Sequence, residues 1–223
     1  MKTSFLTAIK YFICLLVLTG SNVASAGSYE DFFKAIKTDD VAAVQQLLAR
    51  GIDVNTLDPQ GQHGLTMAIL EPSPKVARLL VDAPKIDLNT LNAKGESPLM
   101  LAALKGQLDL AVQMLKKDAD VNKTGWTPLH YAASSGQLPL ITLLIQNNAY
   151  IDAESPNGTT PLMMASMYGT PAAVKLLLGE GADPQLKNQQ GLTAVQFAQR
   201  ANRQDIAELI AASIRARRPP GKW

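Results

Sequence analysis

Gly125 to Ala133 reads Gly-Trp-Thr-Pro-Leu-His-Tyr-Ala-Ala, and weaker copies of its Gly-x-Thr-Pro-Leu-His-x-Ala frame begin at Gly61, Gly95, Gly158 and Gly191. The intervals between these leading glycines are 34, 30, 33 and 33 residues. A period of this size is the signature of a supersecondary unit that cannot bury its apolar face alone. Each unit must stack on its neighbours, so the chain is constrained to an array with one continuous core.

The residues inside each period give the unit its shape. Thr127-Pro128 predicts a helix start, with Thr as N-cap and Pro at N1, where a missing N–H costs nothing. About ten residues on, Gly106, Gly136 and Gly169 fall where a short helix would end in a left-handed residue. A second helix follows, and Ser73-Pro74 and Thr170-Pro171 mark two of its starts. Its apolar stripe is Val76/Leu79/Leu80, Leu110/Met114/Leu115, Leu140/Leu143/Leu144 and Val174/Leu177/Leu178 in successive units. Gly51 and Gly181 then lead into polar turns that end at the next motif glycine. Each unit is therefore predicted as turn, helix, loop, helix.

On these motifs the chain resembles ankyrin-repeat proteins from about Ser28 to Ile214. The resemblance implies an all-α repeat solenoid, an array of helix-turn-helix units with β-hairpin-like fingers. Residues 27–57 hold two helical patterns without the Thr-Pro start and are expected to form an N-terminal capping repeat. Four repeats are expected over 58–187 and a C-terminal capping repeat over 188–214, where the Gly191 copy has lost Pro and His. Two departures stand out. His63-Gly64 replaces the Thr-Pro start in the Gly61 copy, and Asn122 lies three residues before Gly125 where Asn89 lies six before Gly95. The finger at Gly125 is expected to be clipped or tilted.

Residues 1–26 have the form of a cleaved secretory signal peptide, with Lys2 and Lys10 around a polar start, an apolar run from Tyr11 to Leu18, and Ala24-Ser25-Ala26. The run is short against the roughly 17 to 25 apolar residues that span a bilayer, so no stable membrane insertion is expected after cleavage near Ala26. Cys14 is the one cysteine, leaving the mature chain no disulfide or thiolate site. Loss of Lys2 and Lys10 leaves 19 basic against 19 acidic residues, and four of the basic ones lie in 215–223. The array itself then carries 15 against 19, a balance that argues against nucleic-acid binding.

No His-x-x-x-His, Cys-x-x-Cys, Gly-x-Ser-x-Gly or phosphate-cradling glycine loop occurs. Asp118, Asp120 and Asn122 alternate as in a calcium loop, but Lys123 stands at the required glycine and Leu129 at the distal glutamate. For His130 the resemblance implies a structural role, its ring bonded to Thr127 or nearby backbone; a metal ligand or general base is the alternative. His63 sits at an altered helix start and reads as structural or exposed. Met67, Met100 and Met163 read as core fillers, soft copper ligation being the alternative. No catalytic residue, cofactor or metal is expected.

By the same resemblance, partners dock on the residue after the motif glycine and on the residues before the helix-ending glycine. This register selects Glu96 and Trp126 at the first place, and Leu104, Lys105, Ser134, Ser135, Met167 and Tyr168 at the second. Trp and Tyr dominate binding energy in interfaces; the alternative for Trp126 is that it folds back over Tyr131 or the clipped turn. Residues 215–223 form a basic tail, read as a solvated end or as a contact to an anionic membrane or an acidic partner. The chain is thus expected to be a monomeric, non-enzymatic protein-binding scaffold, periplasmic or secreted. The resemblance points to an envelope enzyme as partner, haem catalases among them. A secreted effector that binds a host protein, and a hydrolase or metal-dependent enzyme, are the competing readings.

Overall fold

A computed structural model describes residues 27–217. The expected signal peptide and the tail beyond Arg217 lie outside the described residues. Among those residues there are twelve helices and one isolated bridge, Leu57 to His63. The chain divides between Ile86 and Asp87 into two compact units.

The first unit holds α1 (residues 27–37), α2 (Val41–Ala49), α3 (Gly64–Leu70) and α4 (Pro74–Asp82). Its core is built on Phe32 and Ile36 of α1, both fully buried, with Leu65, Ile69, Val76 and Leu80. The altered start His63-Gly64 has a local cause. His63 is the N-cap of α3 and its Nδ1 accepts from the Leu65 N–H, so imidazole replaces the missing Thr hydroxyl. A Cβ on residue 64 would stand 3.0 Å from Ile36 Cδ1 and 3.3 Å from Phe32 Cε1, so any larger residue would have to displace the ends of those two α1 side chains. His63 is buried, its Nε2 facing Asn55 Oδ1 at 3.3 Å.

The start of α4 departs from expectation. Ser73 holds the N-cap position, but its hydroxyl makes no cap bond and is buried without a hydrogen-bond partner. Its backbone, at φ −121° and ψ 58°, leaves the extended conformation usual for an N-cap. Instead Asp39, held at φ 53° in the α1–α2 turn, accepts the Val76 N–H at 2.8 Å. A carboxylate makes the stronger, charge-assisted acceptor. Asp39→Ala is accordingly expected to lower stability by about 1–2 kcal/mol and Ser73→Ala by little or nothing. Urea unfolding of both variants checks this, and the reverse order would assign the cap to Ser73.

The second unit contains α5 (Pro98–Lys105), α6 (Leu108–Leu115), α7 (Pro128–Ser135), α8 (Leu138–Gln146), α9 (Pro161–Met167), α10 (Pro171–Gly179), α11 (Ala194–Arg200) and α12 (Gln204–Arg217). First helices stack on one another as α5, α7, α9 and α11, and second helices as α6, α8, α10 and α12. Thr170 caps α10 through the Ala173 N–H, as its Thr-Pro pair predicts. Gly106 and Gly136 end α5 and α7 with φ near +70°, in the left-handed region that glycine tolerates best.

Gly169 corrects the sequence reading. Its φ is not positive, α9 is capped by Tyr168, and the Gly169 N–H still bonds back to Ala165 O at 2.9 Å. The glycine is there for space: a Cβ would collide with the Ala133 carbonyl oxygen of α7 and stand 2.9 Å from Ala165 Cα. At the far end α12 runs on to Arg217, whose guanidinium donates to Ala182 O at 2.9 Å and Leu178 O at 2.6 Å. That part of the basic segment is held against the orphan carbonyls behind α10.

Successive turns are tied by amide and carboxylate side chains one period apart. Asn55 Nδ2 donates to Lys85 O in the first unit. In the second, Asn89 Oδ1 accepts the Asp120 N–H, Asn122 bonds Asn148 O and the Tyr150 N–H, and Asp152 accepts the Asp183 N–H. Burial holds the Asp152 carboxyl above the usual carboxylate range, with the Asp183 N–H and Arg217 pulling the other way.

Candidate protein-binding groove

Four of the five motif glycines close a finger of one design. In each, the side chain three residues before the glycine, Asp58, Asn92, Ser155 or Asn188, accepts N–H groups two or four residues on. The glycine sits at φ 73–75°. At Gly125 the residue in this place, Asn122, does not close the finger, because its side chain is used in the ladder between turns. The finger is reduced to Lys123-Thr124-Gly125, closed by Lys123 Nζ on the carbonyls of Thr124 (3.3 Å) and Trp126 (3.4 Å). The expected clipping is present.

Trp126 follows the clipped finger and is half-buried. Its indole meets the His130 ring edge-on, with centroids 5.1 Å apart and planes at 76°. His130 is fully buried. Its Nδ1 accepts the Thr127 N–H at 3.2 Å and lies 2.9 Å from Thr127 Oγ1, while Nε2 faces the Thr159 carbonyl at 2.8 Å. A carbonyl only accepts, so the proton is on Nε2 and the ring is the neutral tautomer. Burial lowers its pKa to about 4, against the smaller opposing pull of the backbone carbonyls. A base so disfavoured from taking a proton, and walled in by Trp126, is a tie between repeats.

Three of the four other copies fill the His position with a different acceptor for the N-cap N–H, while in the Gly61 copy Thr66 stands there with its hydroxyl buried and unpartnered. Met100 Sδ accepts the Ser97 N–H at 3.3 Å, Met163 Sδ the Thr160 N–H at 3.4 Å, and Gln196 Oε1 the Thr193 N–H at 2.7 Å. The two methionines are thus core residues with a polar duty that apolar packing alone did not predict.

Two clefts open on either side of Trp126. One, of about 300 Å³, is lined by Trp126, Met164, Met167, Tyr168, Phe197 and Arg200, with Asn157 and Asn188 among its polar groups. The other, of about 250 Å³, is lined by Trp126, Leu104, His130, Tyr131, Ser134 and Met164. Trp126 and Met164 belong to both, so they form the divide of a single groove over α7 and α9.

Of the eight residues selected from sequence, Trp126, Met167, Tyr168, Leu104 and Ser134 line this groove, with Tyr168 61% exposed. Lys105 is exposed next to Leu104. Ser135 and Glu96 are not among the lining residues. The Ser135 hydroxyl turns back to Tyr131 O at 2.8 Å, a bond available to any serine four residues on in a helix. Glu96 accepts from Tyr131 Oη at 2.9 Å and from Asn92 Nδ2 at 2.8 Å, which ties its finger to α7. Burial, and then Glu96, raise the Tyr131 phenol well above its ordinary value, so it remains a donor.

Sequence reasoning missed Tyr131, Met164 and Phe197. All three occupy one register position, the x between His and Ala of the motif frame. Met67 holds that place in the first unit, where it lines a separate cleft with Tyr29, Phe33 and Leu57. A large side chain at every copy of this position was the available signal.

The chain matches the family described as ankyrin repeats (3 copies) over residues 32–124, 84–155 and 132–218. It is 29% identical to the putative ankyrin repeat protein YahD of Escherichia coli over 192 residues, which covers 82% of this chain and 95% of that protein. A 115-residue stretch, 51% of the chain, is 30% identical to the ankyrin repeat and SAM domain-containing protein 6 of Rattus norvegicus, of which it spans 10%. Among solved structures, the chain is similar to one from the complex of the Bd0816 predatory endopeptidase from Bdellovibrio bacteriovorus with immunity protein Bd3460. The TM-score is 0.70 at 29% identity, over 82% of this chain and 97% of that one. With more than half its length matched and its repeats built as described, the chain belongs to the ankyrin-repeat family of protein-interaction scaffolds.

Proposed function

We propose that this protein is exported, loses residues 1–26, and serves in the bacterial envelope as a monomeric, non-enzymatic scaffold that binds an envelope enzyme. The observation that carries the reading is the groove divided by Trp126. It combines an indole, an exposed phenol, two thioethers and Phe197 in one open concavity. Such aromatic and thioether groups are the usual anchors of protein interfaces. The solved complex noted above pairs an immunity protein with an endopeptidase, which supports a peptidase as the class of enzyme to look for first. Among the described residues no helix is long and apolar enough to cross a membrane.

Intact mass of the native protein should begin at Gly27; a chain that retains Cys14 would overturn export by cleavage. Envelope extract passed over residues 27–223 should yield an enzyme retained by the wild type. Trp126→Ala and Tyr168→Ala should each weaken its binding by about 2 kcal/mol, some thirtyfold. Lys175→Ala on α10, away from the groove, should not. A partner held equally by wild type and the double variant would move the site off this groove.

A further inference from the structure

The groove is apolar along its floor, yet the charged side chain that lines it is basic. Arg200 lines one cleft. Lys105 is exposed beside Leu104, which lines the other. Lys123 Nζ lies 3.4 Å from the Trp126 carbonyl, a position it owes to the clipped finger. Among the described residues no acidic side chain lines either cleft. Glu96 is the acid that contacts a lining residue, and both its oxygens already accept hydrogen bonds. Other acids of the second unit sit on second helices and their ends, as Asp109, Glu180 and Asp205 do, or in the connections that lead to the fingers, as Asp120, Asp152, Glu154 and Asp183 do. In a repeat array with more acidic than basic residues, three cations on or beside an apolar groove that no acidic side chain lines are a local reversal.

Resting on the proposed function, we infer that the groove receives an extended segment of the partner protein carrying two apolar anchors between acidic flanks. One anchor enters each cleft, and the flanking carboxylates meet Arg200 at one end and Lys105 at the other, with Lys123 beside the divide between them. The spacing follows from the fold. Neighbouring packed helices stand about 8–10 Å apart. A polyproline-type segment returns a side chain to the same face every three residues, about 9 Å on. The anchors are therefore three residues apart. Opposite charge at both ends sets the register of the segment and speeds its encounter, while like charge rejects basic segments.

The test is selection from a random dodecapeptide display library on residues 27–223, run in parallel on Trp126→Ala and on a Lys105→Glu/Arg200→Glu variant, each checked for wild-type melting. Selected peptides should carry two apolar residues three apart with Asp or Glu outside them. Their binding should fall about tenfold or more in the charge-reversed variant, fall likewise in Trp126→Ala, and weaken with added salt. Should the double reversal melt early, Arg200→Gln alone is read in its place, with the same direction expected. Peptides that need Trp126 but are charge-indifferent or basic would overturn this inference and leave the docking surface standing. Peptides indifferent to Trp126, or no enrichment at all, would overturn both.

Discussion

Acidification from pH 7 to pH 4 should cost this protein about 3 kcal/mol through His130 alone. In the folded chain the ring is neutral, with a pKa lowered to about 4 by burial; in the unfolded chain it titrates near its ordinary value of 6.5. Between those values the unfolded state binds the proton and the folded state does not. Stability therefore rises with pH across the window and is lost as pH falls from about 6.5 toward 4. The full difference of some 2.5 units corresponds to about 3 kcal/mol. Geometry gives the same sign, since a proton on Nδ1 would face the Thr127 N–H that it now accepts. Carboxylates also titrate in this range, so His130→Gln is the proper comparison. Glutamine already serves at this position in the Gly191 copy, where Gln196 accepts the Thr193 N–H. Urea midpoints at several pH values should converge for the two proteins as acid is added. Parallel curves would show that His130 does not carry the effect.

Gly169→Ala should destabilise by about 3 kcal/mol, although an alanine suits the backbone conformation there. The added methyl would strike the Ala133 carbonyl and crowd Ala165 Cα, both backbone groups of packed helices that cannot rotate away. Gly51→Ala and Gly181→Ala provide the contrast. Both glycines have φ near +100° with nothing within 4 Å of a new Cβ, so their cost is conformational and about 1 kcal/mol. Thermal melts of the three variants should rank Gly169→Ala lowest. If it ranked with the other two, α7 and α9 would be free to part, contrary to their packing here.

These two positions show what the sequence makes legible. Thr-Pro pairs, positive-φ glycines and 3.6-residue stripes are local chemistry, and they placed the helices from α5 to α11 because the forces that start and stop a helix act within a few residues. The shortened interval before Gly125 was legible as arithmetic, and it predicted the clipped finger. What could not be read depends on contacts across a period. Asp39 caps α4 from 37 residues away, Tyr131 reaches Glu96 over 35, and Gly169 answers to the carbonyl of Ala133. Each local motif suggested a nearer partner or another cause. The groove was half-legible for a different reason. Residues after the glycine and before the helix end stand next to the glycines that punctuate the frame and are easily picked out, whereas Tyr131, Met164 and Phe197 share mid-helix positions with buried Leu101 and pass for core.

The side-chain ladder between successive turns has an evolutionary consequence. Because Asn89, Asn122 and Asp152 each bond the turn one period on, the pitch of this part of the array is set before the chain reaches a fingertip. Residues between a rung and the next motif glycine are then free to be gained or lost without re-spacing the helices behind them. The three-residue shortening at Gly125 is such an edit. Finger length is a variable that mutation can change in small steps, reshaping what the array recognises while inheriting its stack intact.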